Sequence, residues 1–305
     1  RIEMASLRRL LGPIFSSSIA RQASLYTLAN LLNAAIPFLL LPVMTRYLHP
    51  RDYGIIAMFQ ILTSVTSIFV GLNTHGAVSR QYFERDSIRF PEYVSNCLLI
   101  FIISAVIFSV GVVCFGGVLQ EATQFPSSWM WSVGIVASLQ FLQWMALTIW
   151  QIRGKAISYL TFQVLMTGLN LLLSVVLVVW MGFDWEGRVL AQVITSIIFG
   201  CLAVYFLYRQ GLIVWKFNAS YLRHALYFGL PLVPHALSGM AILMTDRLLL
   251  TNMVGVEVTG LYVVGAQIGM IIGFLEDAFN KAWVPFYLDK MKVGTTAAKL
   301  TVVKI

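Results

Sequence analysis

The chain has 305 residues, of which 59% are hydrophobic and only 11% charged, with a mean hydropathy of +0.81 and a formal net charge of +8. Soluble domains carry about 25% charged residues, so a soluble domain of any size is excluded, and the longest polar stretches, Arg80 to Tyr93 and Arg209 to Tyr221, are connectors. The three cysteines, Cys97, Cys114 and Cys201, are an odd number inside apolar runs without C-x-x-C spacing, and read as packing residues rather than metal or disulfide partners.

The first segment, residues 1–21, starts on Arg1, and its apolar stretch from Leu10 to Phe15 is broken by Gly12 and Pro13. That is short for a signal-peptide core of roughly 7–15 residues, so the segment reads as a lead-in at the inner membrane surface. Crossing a hydrocarbon core of about 30 Å takes roughly 20 apolar residues in a helix. Eight runs meet that length, near 22–47, 54–79, 92–119, 128–152, 156–181, 189–209, 224–250 and 259–281. The expected fold class is all-α, a polytopic membrane protein with about eight transmembrane helices. Between spans one and two, proline at His49-Pro50 is expected to stop the first helix and Asp52 to cap the second, which makes the pair an antiparallel hairpin.

The basic residues sort by loop parity. Seventeen of the 21 Lys and Arg fall in the amino-terminal tail, in the connectors at 80–89, 153–155 and 209–223, and after span eight. The other loops hold only Arg46, Arg51, Arg188 and Arg247. By the positive-inside rule both ends of the chain are cytoplasmic. The charge is thereby accounted for by topology and lipid contact, with no nucleic acid as partner.

Spans seven and eight repeat the plan of spans one and two about 206 residues later, with Thr45 matching Thr251 and Gly54 matching Gly260. An even number of intervening spans gives the copies one orientation, the parallel repeat of two-lobed transporters. The expected organisation is a lead-in at 1–21, a first six-helix lobe at 22–210, a cytoplasmic inter-lobe loop at 211–223 and an incomplete second lobe at 224–305. A six-helix second lobe would need about four more spans.

Polar groups in hydrocarbon face the bundle interior or a wet cavity. In span one Gln22, Tyr26, Asn30, Asn33 and Pro37 form one helical stripe, and in span two Gln60, Thr63, Ser67 and Thr74 do the same. Gln140 and Gln143 in span four, with Gln163 and Asn170 in span five, add amides. Any one of them serves as interhelical glue; together they suit a hydrated path for sugar hydroxyls, with Asn30, Asn33, Gln60, Thr63, Gln140 and Gln143 as candidate contacts. Charges inside spans are rarer. Arg80, Arg247 and Lys281 are candidates for a pyrophosphate, and Asp277, Glu276 and Asp246 for a coupling ion, set against interfacial anchoring as the plain alternative. Histidines 75, 224 and 235 read as packing or interface residues. The Gly265, Gly269, Gly273 ridge of span eight permits close helix approach, and Pro231 and Pro234 are placed to kink span seven. No catalytic or metal-ligating constellation is present, and no cofactor is expected beyond a proton or sodium gradient.

Three stretches carry a resemblance: Leu41 to Gly54 (LPVMTRYLHPRDYG), Gly76 to Glu84 (GAVSRQYFE), and Thr245 to Leu250 (TDRLLL) with Gly260-Leu-Tyr262. Over about residues 20–292 the chain resembles the Wzx-type O-antigen and polysaccharide flippases of the multidrug, oligosaccharidyl-lipid and polysaccharide exporter superfamily. The resemblance implies a bacterial inner-membrane protein of two six-helix lobes, moving undecaprenyl-pyrophosphate-linked oligosaccharide from the cytoplasmic to the periplasmic leaflet. It also puts Arg80 and Asp246-Arg247 at family motif positions, and implies membrane lipids, a glycan polymerase and other assembly proteins as partners.

Five functions come into question. A lipid-linked glycan transporter comes first, and an ion-coupled drug or small-molecule antiporter of the same fold comes second. A glycan polymerase or glycosyltransferase usually needs a large outer loop or paired carboxylates in water, which the short outer loops do not offer. A scaffold has no use for intramembrane charge, and an ATP-driven pump would carry a G-x-x-x-x-G-K-[ST] loop.

Overall fold

In the computed structural model the described residues are 40–269, together with Leu25, Leu32 and Phe38. They are helical with connecting turns, and no strand occurs among them. The chain divides into two compact units, Arg1–Leu261 and Tyr262–Ile305. In the second unit the described residues, 262–268 and Gly269, are helical. The first unit is described below.

The helices in order are α1, described over residues 40–44, α2 (Pro50–Phe69), α3 (Thr74–Gln81), α4 (Phe90–Cys114), α5 (Gly116–Thr123), α6 (Met130–Ile152), α7 (Ala156–Val175), α8 (Trp185–Arg209), α9 (Ala219–Gly229), α10 (Leu232–Met253) and α11, described over residues 256–269. Among the described residues six segments are long and apolar enough to cross a membrane. They correspond to predicted spans two to seven. The chain is a multi-pass membrane protein. Val106, Ile107 and Val110 on α4, Ile157, Leu165 and Leu172 on α7, and Tyr205 on α8 are all exposed, as lipid contact requires of helices whose backbone bonds are satisfied internally. The opposite faces of α4, α6 and α8 pack a core of aromatic rings; Phe101 stacks on Phe141 at 4.9 Å, and Trp150 meets Phe206 at 4.3 Å.

Two connections differ from expectation. Proline 50 does not end the first helix; it opens the second, at a position where its missing N–H costs nothing, and the Asp52 carboxylate accepts the His49 N–H at 2.8 Å as its cap. Span two is not continuous. Gly71, Leu72 and Asn73 all take left-handed backbone angles, which breaks the helix between α2 and α3. The freed groups find partners: the Gly71 N–H donates to Ser104 Oγ at 2.8 Å and the Thr74 hydroxyl donates to the Gly71 carbonyl at 2.7 Å. A side chain at Gly71 would overlap the Phe141 ring. Span seven breaks at Leu230–Pro231, between α9 and α10, close to where Pro231 was expected to bend it.

The loops that sequence parity groups together do meet. At the basic end, Arg153 donates to Gln210 at 2.6 Å, the Arg89 N–H donates to the Tyr221 hydroxyl at 3.3 Å, and Glu92 pairs with Arg89 and Lys216 at 3.1 and 3.4 Å. Buried Asn96 holds the connector beneath them, donating to the Lys216 carbonyl and accepting the Asn218 N–H, both at 3.0 Å. At the other end Gln124 donates to the Thr251 carbonyl at 3.0 Å and Asn252 to that of Ala122 at 2.8 Å. Trp129, Trp131 and Trp185 cluster there, the placement of an interfacial aromatic belt.

The 206-residue repeat has a structural counterpart at this end. A Cβ on Gly54 would overlap the Val256 carbonyl, and one on Gly260 would overlap that of Pro50. Adding 206 to Pro50 and Gly54 gives Val256 and Gly260, so the two contacts are reciprocal, as across a two-fold axis. Glycine at both positions lets α2 and α11 touch backbone to backbone.

Candidate functional site

Two polar cavities open among the apolar helices. The first lies roughly 15–21 Å along α2 from its start, at 1.5 Å per residue, where one turn carries Gln60, Thr63 and Ser64. Val136 and Gln140 of α6 and Arg188 and Gln192 of α8 complete its wall, with a volume of about 140 Å³. Arg188 starts in the first turn of α8 and reaches back into the unit. One guanidinium nitrogen donates to Asn170 Oδ1 at 2.7 Å and to Ser174 Oγ at 3.0 Å. Asn170 donates in turn to Gln192 Oε1 at 2.9 Å. Among the described residues no carboxylate pairs with Arg188; the ion pairs found there are those of Glu92. Buried Thr63 has a hydroxyl without a hydrogen-bond partner among the described residues.

The second cavity, of about 500 Å³, sits beside the α2–α3 break toward the basic end. Asn73 and His75 come from the break itself, Trp144, Thr148 and Gln151 from α6, and Tyr159 from α7. The His75 ring lies 5.6 Å from that of Trp144, and both His75 Nδ1 and Asn73 Nδ2 are buried without a hydrogen-bond partner among the described residues. Discontinuous helices commonly build transporter sites in this way, because the break exposes polar groups to a cavity.

The sequence candidates are dispersed. Gln60, Thr63 and Gln140 line the smaller cavity together. Gln143 turns away and donates to the Ser196 carbonyl at 3.3 Å, a packing role between α6 and α8. Arg80 is on α3 at the basic end, 5.8 Å from the centre of the Phe228 ring. Arg247 is at the opposite end of the unit, where its carbonyl accepts the Thr251 hydroxyl at 2.9 Å and its Nε is buried without a hydrogen-bond partner among the described residues. The adjacent Asp246 carboxylate accepts the Arg247 N–H at 2.8 Å. Arg80 and Arg247 therefore do not converge. Asn30, Asn33, Glu276, Asp277 and Lys281 lie outside the described residues. His224 is an interface residue as expected, 3.0 Å from the Tyr93 hydroxyl, whereas His75 lines a cavity. Arg188, counted by parity as a loop charge, is the residue sequence reasoning missed. Its signal was the polar pair Asn170 and Gln192 within reach of a cation one turn into a span. No group of three or more potential metal ligands comes together among the described residues.

Comparison with known proteins places this geometry. A membrane protein of Haemophilus influenzae described as uncharacterized is 28% identical over 287 residues, covering 92% of this chain and 68% of its own length. The Lsg locus putative protein 1 of the same species is 26% identical over 279 residues, covering 90% and 67%. The chain thus spans about two thirds of these relatives. Among solved structures, a MATE transporter in complex with Br-NRF aligns with a TM-score of 0.65 at 17% identity, over 90% of this chain and 73% of that one. An inward-facing multidrug resistance MATE family transporter of the MOP superfamily aligns at 0.60 and 17%, over 80% and 58%. These likenesses show the fold. The family described as polysaccharide biosynthesis protein matches residues 19–289, about nine tenths of the sequence, and the chain belongs to that family.

Proposed function

We propose that the protein is a secondary transporter that flips undecaprenyl-pyrophosphate-linked oligosaccharide across the bacterial inner membrane, with its amino terminus in the cytoplasm. The observation that carries this reading is the cavity at the α2–α3 break. Its volume of about 500 Å³ lies within the roughly 300–1,000 Å³ of ligand sites. Its lining mixes flat rings, Trp144 and Tyr159, with the amides and hydroxyl of Asn73, Gln151 and Thr148. Sugars present an apolar ring face and a rim of hydroxyls, and that combination matches both. The cavity faces the basic end, the side from which a cytoplasmic substrate arrives.

In this reading Arg80 meets the pyrophosphate on the entry side, the side to which loop parity also assigns Lys281, and Arg247 meets it on the exit side, so the two ends act in sequence. A proton or sodium gradient supplies the drive through Asp246, Glu276 or Asp277. Membrane lipids surround the protein, and a glycan polymerase consumes its product. The reaction is movement without bond cleavage, so no catalytic residue is assigned.

The test uses cells whose surface glycan depends on this protein. Trp144→Ala and Gln151→Leu are expected to lower surface glycan about tenfold at matched protein level, while lipid-facing Leu165→Ala leaves it unchanged. Normal export in both cavity variants overturns the reading.

A further inference from the structure

The smaller cavity is unlike the larger one in size and in the sign of its chemistry. At about 140 Å³ it is less than a third of the size of the larger cavity and falls below the roughly 300–1,000 Å³ of sites for larger ligands, too little for an oligosaccharide. Its polar groups are donors or can be turned to donate. Arg188 spends one nitrogen on Asn170 and Ser174, which leaves its Nε and the other terminal nitrogen uncommitted among the described residues. That pair forms an intact donor fork. Gln192 has its oxygen taken by Asn170, so its NH₂ end is the one left to the cavity. Thr63, only 7% exposed, has an unpartnered hydroxyl, and Gln60 and Gln140 each offer an amide.

A guanidinium this deep is costly unless its charge is met. No carboxylate meets it among the described residues. Span one cannot supply one either, because the sequence from Arg21 to Arg51 contains no Asp or Glu. We propose that this pocket binds one small monovalent anion, a halide or a simple carboxylate, held by the free fork of Arg188, the Thr63 hydroxyl and the amides of Gln60, Gln140 and Gln192. The anion completes the charge of the Asn170–Arg188–Gln192 cluster and ties α2, α6, α7 and α8 together. Its binding is independent of the glycan reading.

The test is thermal unfolding of the purified chain in lipid nanodiscs without any lipid-linked glycan. Sodium chloride or sodium formate replaces sodium gluconate, a bulkier reference anion, at constant ionic strength. The unfolding midpoint of the parent protein is expected to rise with chloride or formate and saturate, as binding to the folded state requires. Arg188→Gln should abolish that response. Thr63→Val should raise the half-saturating concentration about tenfold, the loss of one hydrogen bond to a charged group. A parent midpoint indifferent to both anions overturns the proposal, and so does an unchanged response in Arg188→Gln. If Arg188→Gln does not fold, Thr63→Val decides: an unshifted half-saturation overturns the site.

Discussion

Replacing Gly260 with alanine puts a methyl group into the carbonyl of Pro50, with the Gly54 nitrogen 3.0 Å away on the same side. Both obstacles are backbone, so no rotamer change relieves them. Restoring ordinary contact requires α2 and α11 to separate by about 1.5 Å. That shift strains the neighbouring Thr251–Thr259 hydroxyl pair at 2.9 Å and the Gln124 bond to the Thr251 carbonyl. Overpacking of this kind costs about 1–3 kcal/mol, a fall in unfolding midpoint of roughly 1.5–5 °C for a chain of this size. Gly54→Ala, which meets the Val256 carbonyl in the reciprocal contact, should cost a similar amount. One separation relieves both methyl groups. The double variant should therefore lose at least about 1 kcal/mol less than the sum of the singles, the coupling expected of residues that share a contact. The assay is thermal unfolding of the four proteins in one detergent. Single variants within about 1 °C of the parent, or strictly additive losses, would refute the reciprocal crossing.

Three further outcomes follow from the same geometry. Asn96→Ala leaves the Lys216 carbonyl and the Asn218 N–H without their side-chain partner, a loss of about 2 kcal/mol that should show as faster proteolysis of the 210–218 connector; unchanged cleavage would mean the connector is held elsewhere. In a background with Cys97, Cys114 and Cys201 replaced, Gln60→Cys should react with a water-soluble thiol reagent and buried Ala57→Cys should not; equal protection would mean a dry pocket. Reporter fusions after Glu121 and after Lys216 should report opposite sides of the membrane, since the two residues belong to opposite ends of the unit.

What the sequence made legible is what short-range physics determines. Span length, loop parity and the Asp52 cap depend on residues within a turn or two, and each has its counterpart in the structure. The 206-residue repeat was readable because two glycines mark a crossing that nothing larger fits. The break in span two was not. Gly71 and Asn73 tolerate left-handed backbone, but only Ser104, 33 residues on, makes the break affordable by accepting the freed N–H. Gln140 and Gln143 looked equivalent, three residues apart on one helix, yet the Ser196 carbonyl captures one and a cavity the other. Arg188 shows the same limit. Loop parity groups it with the outer charges, and its inward reach depends on Asn170 and Ser174 of a different span. Position along a span indicates depth; which neighbour a side chain meets is settled by tertiary packing.

The most direct measurement is reconstitution of the protein into liposomes carrying a fluorescent undecaprenyl-pyrophosphate-linked oligosaccharide in the inner leaflet, with an impermeant quencher outside. The account predicts protein-dependent quenching that quickens when a proton or sodium gradient is applied and slows about tenfold in Trp144→Ala. Transfer no faster than in protein-free vesicles, from protein shown to be folded in the membrane, would contradict it.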